Sequence, residues 1–266
     1  MGIIPVEEAK PHFESAIQRA QELGGNLPEV RYSRAVTRTW WEWDFAQSDA
    51  EFQLAIELNP KSPDSHAYYS HLLFILHRPG EAIEHIDSAL ELDPFNPLFQ
   101  AIYAMDLNYL GRYDEAAVVL LDVLELDPEF PMALTTLRTT YHLMARHEEA
   151  LDMWRASLAT RGDSEALEAL ERGYAEGGYS AALAEVAETL VERTQVSYVP
   201  AWDIGTLFTR AGKLDEALYW LERAFDEHNS NMPYLSVDPI FDYLRSDPRF
   251  QELISRMGLP GDVGTP

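Results

Sequence analysis

Apolar residues recur along this chain on two scales. Within short stretches they fall three and four positions apart, the spacing that aligns side chains on one face of a helix. Over longer distances the pattern returns every 34 residues: AIELNP ends at Pro60, ALELDP at Pro94 and VLELDP at Pro128. Ala82, Ala116 and Ala150 keep that stride, as do Phe52, Ile86, Leu120 and Trp154. The beat predicts helix pairs over about 29–60, 63–94, 97–128, 131–162, 163–195 and 198–231. A lone capping or half-repeat helix falls within 1–28. The tail, 232–266, breaks the period and predicts two short capping helices, near 239–245 and 248–257, laid over the last pair. The pair at 163–195 is degenerate, with Gly162 and Gly177–Gly178 at its turns.

Each repeated position has a physical reading. A small residue at Ala82, Ala116, Ala150 and Ala217 lets the two helices of a pair approach closely. The bulky residue one turn later fills the gap to the next pair. The closing Pro60, Pro94 and Pro128 stop the second helix, because proline restricts the residue before it and cannot continue the ladder. Pro63, Pro97 and Pro131 then open the next helix, where a missing N–H costs nothing. Gly111 and Gly212 fall at the tight turn inside a pair, where positive φ is expected. Asp114 and Asp215 follow as first-turn acids.

A 34-residue helix pair with these positions identifies the chain as a tetratricopeptide-repeat (TPR) protein. The resemblance implies an all-α, right-handed superhelix of about six pairs, capped at both ends, that serves as a non-catalytic protein-interaction scaffold. A narrower resemblance rests on DFAQSDAEFQLAIELNP, GRYDEAAVVLLDVLELDP, KLDEALYWLERAF and VDPIFDYLRSDPRFQELISRMGL. These look like the TPR regions of bacterial winged-helix regulators, nucleotide cyclases and serine/threonine kinases. That likeness implies a regulatory or sensory module contacting an effector domain or self-associating. This chain carries no effector domain, so it is either a fragment with an added Met-Gly or a free-standing relative.

Composition narrows the partners. Acidic residues outnumber basic ones 45 to 20, giving a formal net charge of −25. Such a field repels phosphate backbones and anionic lipid heads, so neither nucleic acid nor a membrane surface is an expected partner. The same field keeps a large helical surface soluble and can steer a basic partner. With no cysteine there is no disulfide or thiolate metal site. No apolar run spans a membrane, and the first residues lack both a signal-peptide pattern and a myristoylation signal. A cytoplasmic location is the resulting expectation.

In the TPR family the first helix of each pair lines a concave groove that holds peptides. The resemblance therefore assigns the inward positions of this chain to a peptide- or protein-binding groove: Trp40, Trp41, His71, Met105, Asn108, Tyr109, Thr139, His142 and Trp202. That surface reads as aromatic, weakly polar and nearly uncharged, suited to an apolar or aromatic peptide or to a partner helix. The Lys and Asn pattern with which chaperone-binding relatives clamp a C-terminal carboxylate is absent, so a chaperone tail is not expected. A second copy of the chain is a further partner the groove permits. The cluster Trp40-Trp41-Glu42-Trp43 reads either as packing of the N-terminal helix onto the first repeat or as an aromatic anchor for a ligand.

Candidate chemistry is sparse. GxSxG, GxGxxG, GxxxxGK[ST] and HExxH do not occur. His66, His71 and His77 are five and six residues apart, which does not align ligands on one helical face. Glu148-Glu149 and Asp114-Glu115 start helices, where acids favour the dipole. No enzyme activity, metal or cofactor is expected. The remote alternative is a small-molecule sensor or hydrolase with its pocket in the degenerate pair.

Overall fold

The computed structural model describes residues 6–24 and 26–260. Its regular elements are helical throughout, with no strand among the described residues. Helix α1 spans Val6–Gly24. Six helical hairpins follow: α2 Pro28–Thr37 with α3 Phe45–Leu58, α4 Pro63–Ile75 with α5 Pro79–Leu92, α6 Pro97–Tyr109 with α7 Tyr113–Leu126, α8 Pro131–Leu143 with α9 His147–Arg161, the two halves of α10 Ser164–Arg193, and α11 Ala201–Arg210 with α12 Leu214–Asp226. Helix α13, Pro248–Arg256, closes the described chain. No helix among the described residues is long and apolar enough to cross a membrane.

The 34-residue stride is written into the backbone as well as the side chains. Left-handed residues occur at Trp43, His77, Gly111 and Ala145, with φ of 57°, 56°, 72° and 56°. Gly178 and Gly212 continue the series, the first of them one residue early. Each sits at the turn inside a hairpin, so the chain reverses the same way every time. At Gly177 and Gly178 the non-helical dihedrals break α10 into two antiparallel halves. Gly173 allows those halves to touch: a Cβ there would stand 2.5 Å from the Ala181 carbonyl oxygen.

One buried cluster runs from Ala35 to Leu259, and a second, smaller one gathers Ala67, Ile86, Ala89, Phe99 and Ile102. Ala82, Ala116, Ala150 and Ala217 have no accessible surface, and Phe52, Ile86, Leu120 and Leu221 fill the adjoining space. Polar contacts link successive first helices on the inner side. The Ser70 hydroxyl donates to Asp106 at 3.0 Å, and the Asn108 amide donates to the Thr140 hydroxyl at 2.9 Å. Arg31 and Arg34 both pair with the buried Glu51 at 3.0 Å, tying α2 to α3.

The tail does more than lie over the last hairpin. Helix α13 does return to α12, through Arg249 to Asp215 at 2.8 Å and Arg256 to Glu222. The preceding segment instead enters the concave side as two short 3-10 turns, Met232–Ser236 and Pro239–Phe241. It packs on α4, α8, α11 and the π-helical turn Arg38–Glu42 that extends α2. Superhelical curvature has brought the two ends of the array together.

Candidate functional site

The concave face is built from α2, α4, α6, α8 and α11, and the chain's own tail occupies much of it. Trp40 Nε1 donates to the Tyr234 hydroxyl at 2.9 Å, across 194 residues of sequence. Tyr234 also meets His71 edge-on, with ring centroids 5.6 Å apart. Burial pushes the Tyr234 hydroxyl pKa well up, as it does that of Tyr109, which Asp238 also faces. The tail is pinned from behind: Asp238 caps Ile240 at 3.0 Å, and Arg245 donates to the Ser236 carbonyl at 2.7 Å. Asp238, Ile240 and Arg245 belong to the VDPIFDYLRSDPRF stretch, whose role here is to shape the insert.

The nine groove residues read from the sequence therefore divide. Trp40, His71, Asn108 and Trp202 are buried at 8%, 2%, 3% and 8% exposure, a departure from the open groove expected. Their covers are identifiable. Trp40 and His71 lie under Tyr234, Asn108 is turned into its bond with Thr140, and Trp202 packs edge-on against Phe241 at 5.5 Å. Trp41, Met105, Tyr109, Thr139 and His142 remain partly accessible. Of these, the structure links Thr139 and His142 through Arg210, which donates to the Thr139 hydroxyl at 3.1 Å and lies near His142. The Trp cluster plays a third role beyond the two considered. Trp40 holds the tail through Tyr234, and Trp43 stacks on His228 just beyond α12.

Charge on this face is greater than the sequence reading allowed. Asp106, Arg138, Asp203, Arg210 and Asp238 all reach the interior. His71 Nδ1 approaches Asp106 to 3.3 Å without hydrogen-bond alignment. Burial raises the Asp106 carboxyl pKa against the pull of His71 and Ser70. Asp203 and Asp238 are likewise raised by burial, opposed by neighbouring arginines. His142, which shares a 3.2 Å contact with the Tyr179 hydroxyl, is pushed down to about 3 by burial, Arg210 and His147. Arg138 is lowered to about 9 by burial and by Arg210 and Arg161, and its guanidinium lies 3.6 Å over the Trp154 ring.

Arg138 escaped the groove assignment because it occupies a small-residue position. Ser70 in α4 and Ala104 in α6 precede it at the 34-residue stride.

None of this forms a nucleophile with an activating base or a metal site. No group of three or more His, Asp or Glu side chains among the described residues could hold a metal.

The fold is that of a TPR solenoid. A solved structure of pilF from Pseudomonas aeruginosa is similar over 86% of this chain and 97% of that one, with 19% identity and a TM-score of 0.52. PilW, a widely conserved type IV pilus biogenesis factor, matches over 86% and 91% at 17% identity, with a TM-score of 0.47. YrrB, a TPR protein with an unusual peptide-binding site, matches over 80% and 92% at 15% identity, with a TM-score of 0.44. No family model matches the sequence, and no curated protein matches it.

Proposed function

We propose that this protein is a non-catalytic protein-interaction scaffold that holds a partner's peptide or helix on the part of its concave face left open by its own tail. The observation that carries this reading is the tail itself. Met232–Phe241 lies against the inner faces of α4, α8 and α11, so these faces already accept a polypeptide through ring and hydrogen-bond contacts.

Magnitudes argue that the partner binds beside this insert and does not replace it. Met232, Leu235, Ile240 and Phe241 are nearly or fully buried. At about 1.5–3 kcal/mol for each buried apolar side chain, expelling these four costs on the order of 6–12 kcal/mol. A micromolar complex has only about 8 kcal/mol in total. The surface left for a partner includes Trp41, Met105, Tyr109, Thr139 and His142. Its aromatic content suits an apolar or aromatic segment, and the net charge of −25 favours one flanked by basic residues.

The test is a peptide array and pull-down with the full chain, followed by titration of the captured sequence. Tyr109→Ala and His142→Ala are expected to weaken binding at least tenfold, the usual scale for a truncated interface anchor. Binding that survives both substitutions would remove the concave assignment.

A further inference from the structure

Two histidines meet between α4 and α5, where the second hairpin joins the turn leading out of α3. His66, near the start of α4, is 7% exposed, and His85 on α5 is half-buried beside it. Their ring centroids are 5.1 Å apart, and the two Nδ1 atoms approach to 2.9 Å. His66 Nε2 in turn lies 3.1 Å from the Pro60 carbonyl oxygen. A chain of contacts therefore runs from the turn after α3, through α4, to α5.

Hydrogen-bond chemistry leaves one arrangement of protons for two neutral rings. A carbonyl oxygen only accepts, so His66 Nε2 carries the hydrogen. A neutral imidazole has a single N–H, so His66 Nδ1 is bare and His85 Nδ1 donates to it. One added proton leaves that bond intact, because an N–H still faces a bare nitrogen. A second places N–H against N–H at 2.9 Å and puts two charges in a largely buried setting. The surroundings do little to offset this. From α5 and its N-terminal cap come Glu81, which attracts a proton, and Arg78, which repels it. Arg78 already holds the Glu81 carboxylate through bonds of 2.7 and 2.6 Å. From α4, the Tyr69 ring lies 4.7 Å from His85, its hydroxyl committed to Asp49 of α3 at 2.7 Å. Burial first, and the facing His66 next, push the His85 pKa down to about 4.

We propose that His66 and His85 form an acid-released latch that fastens α5 and the turn at Pro60 onto α4, at the joint between the first and second hairpins. The latch is closed while the two rings hold complementary tautomers, and it opens once the pair has taken two protons. The direction follows from where His85 titrates. Released from the pair it takes its proton near pH 6.5, and within the closed latch only near 4. The open form therefore binds more protons in between, so the stability of the latch is whole above about pH 6.5 and is lost as the pH falls towards 4. Helix α4 also carries His71 beneath Tyr234, so the latch sits on a helix that seats the tail. It does not depend on the scaffold reading, because every group involved belongs to this chain.

The experiment follows amide hydrogen exchange of the full chain from pH 7 to pH 4, corrected for the intrinsic pH dependence of exchange, together with nitrogen NMR of the imidazoles. Opening linked to one further proton should raise the opening constant of α4 and α5 about tenfold per pH unit between about 6.5 and 4. The third hairpin, α6 with α7, contains no histidine and should not follow. His85→Asn keeps a side-chain N–H towards His66 without a titrating ring, and is expected to flatten the pH dependence of α4 and α5. The imidazole spectra of the wild-type chain do not rely on that variant folding. They should show the hydrogen of His66 on Nε2 and that of His85 on Nδ1. The proposal is overturned if any other pair of tautomers is found at neutral pH, if all hairpins lose protection together on acidification, or if the pH dependence persists in His85→Asn.

Discussion

Trp43 and His228 stack with ring centroids 3.6 Å apart and planes 15° from parallel, joining the turn of the first hairpin to the end of α12. Both residues are left-handed, with φ of 57° and 52°. Close by, the Trp41 carbonyl oxygen lies 2.7 Å from His228 Nε2. A TPR array is ordinarily held by neighbour-to-neighbour contacts alone, with stability that sums along the row. Here the first and last hairpins also hold one another.

That closure predicts long-range coupling. Tyr234→Phe removes the bond from Trp40 and is expected to destabilise by about 0.5–1.5 kcal/mol. Tyr234→Ala also removes the ring from its contacts, at about 3–5 kcal/mol. Hydrogen exchange is the decisive measurement: amides of α2 should lose protection together with those of 229–241. Loss confined to the C-terminal segment would mean that the ends act independently.

Ala145 carries strain that its counterparts Gly111 and Gly212 do not. A left-handed conformation costs an L-residue about 1–2 kcal/mol. Glycine in the unfolded chain offsets about 0.4–1 kcal/mol of that relief. Ala145→Gly is therefore expected to stabilise by up to about 1 kcal/mol, measured as a higher urea midpoint with unchanged slope.

The repeat positions differ in what they tolerate. Leu120 is fully buried, so Leu120→Ala is expected to cost about 2–5 kcal/mol. Ala116 lies where two helices meet with no accessible surface, and Ala116→Leu should cost about 1–3 kcal/mol by overpacking. Equilibrium urea unfolding distinguishes these losses from the smaller changes expected at the exposed Val118.

Acid sensitivity at His142 has a definite sign. The folded imidazole takes its proton only near pH 3, while the unfolded one does so near 6.5, so the unfolded chain binds more protons in between. The stability that depends on neutral His142 is whole above about pH 6.5 and is lost progressively as the pH falls towards 3. At pH 5 the loss is on the order of 1–2 kcal/mol. Comparing wild type with His142→Gln from pH 7 to pH 4 isolates this contribution, because the other titrating groups are common to both. Parallel curves would show that His142 is not held neutral.

The sequence was most legible where structure is local. Alanines at a fixed stride and prolines at helix ends specify helical hairpins, since these depend on contacts between residues a few tens of positions apart. The site was less legible. His71 and Asn108 are polar and fall on inward positions, yet Tyr234 and Thr140 cover them. Arg138 read as an ordinary helical residue, and only the structure shows it buried with its guanidinium over Trp154.

By itself, the order of amino acids determined the hairpins, their number and the small and bulky columns that stack them, because each is a choice between neighbours repeated along the chain. Only the tertiary structure decided where Met232–Phe241 goes and which groove residues it buries. Those outcomes depend on curvature accumulated over every repeat, which places Trp40 beside Tyr234 although no pattern in the sequence connects them.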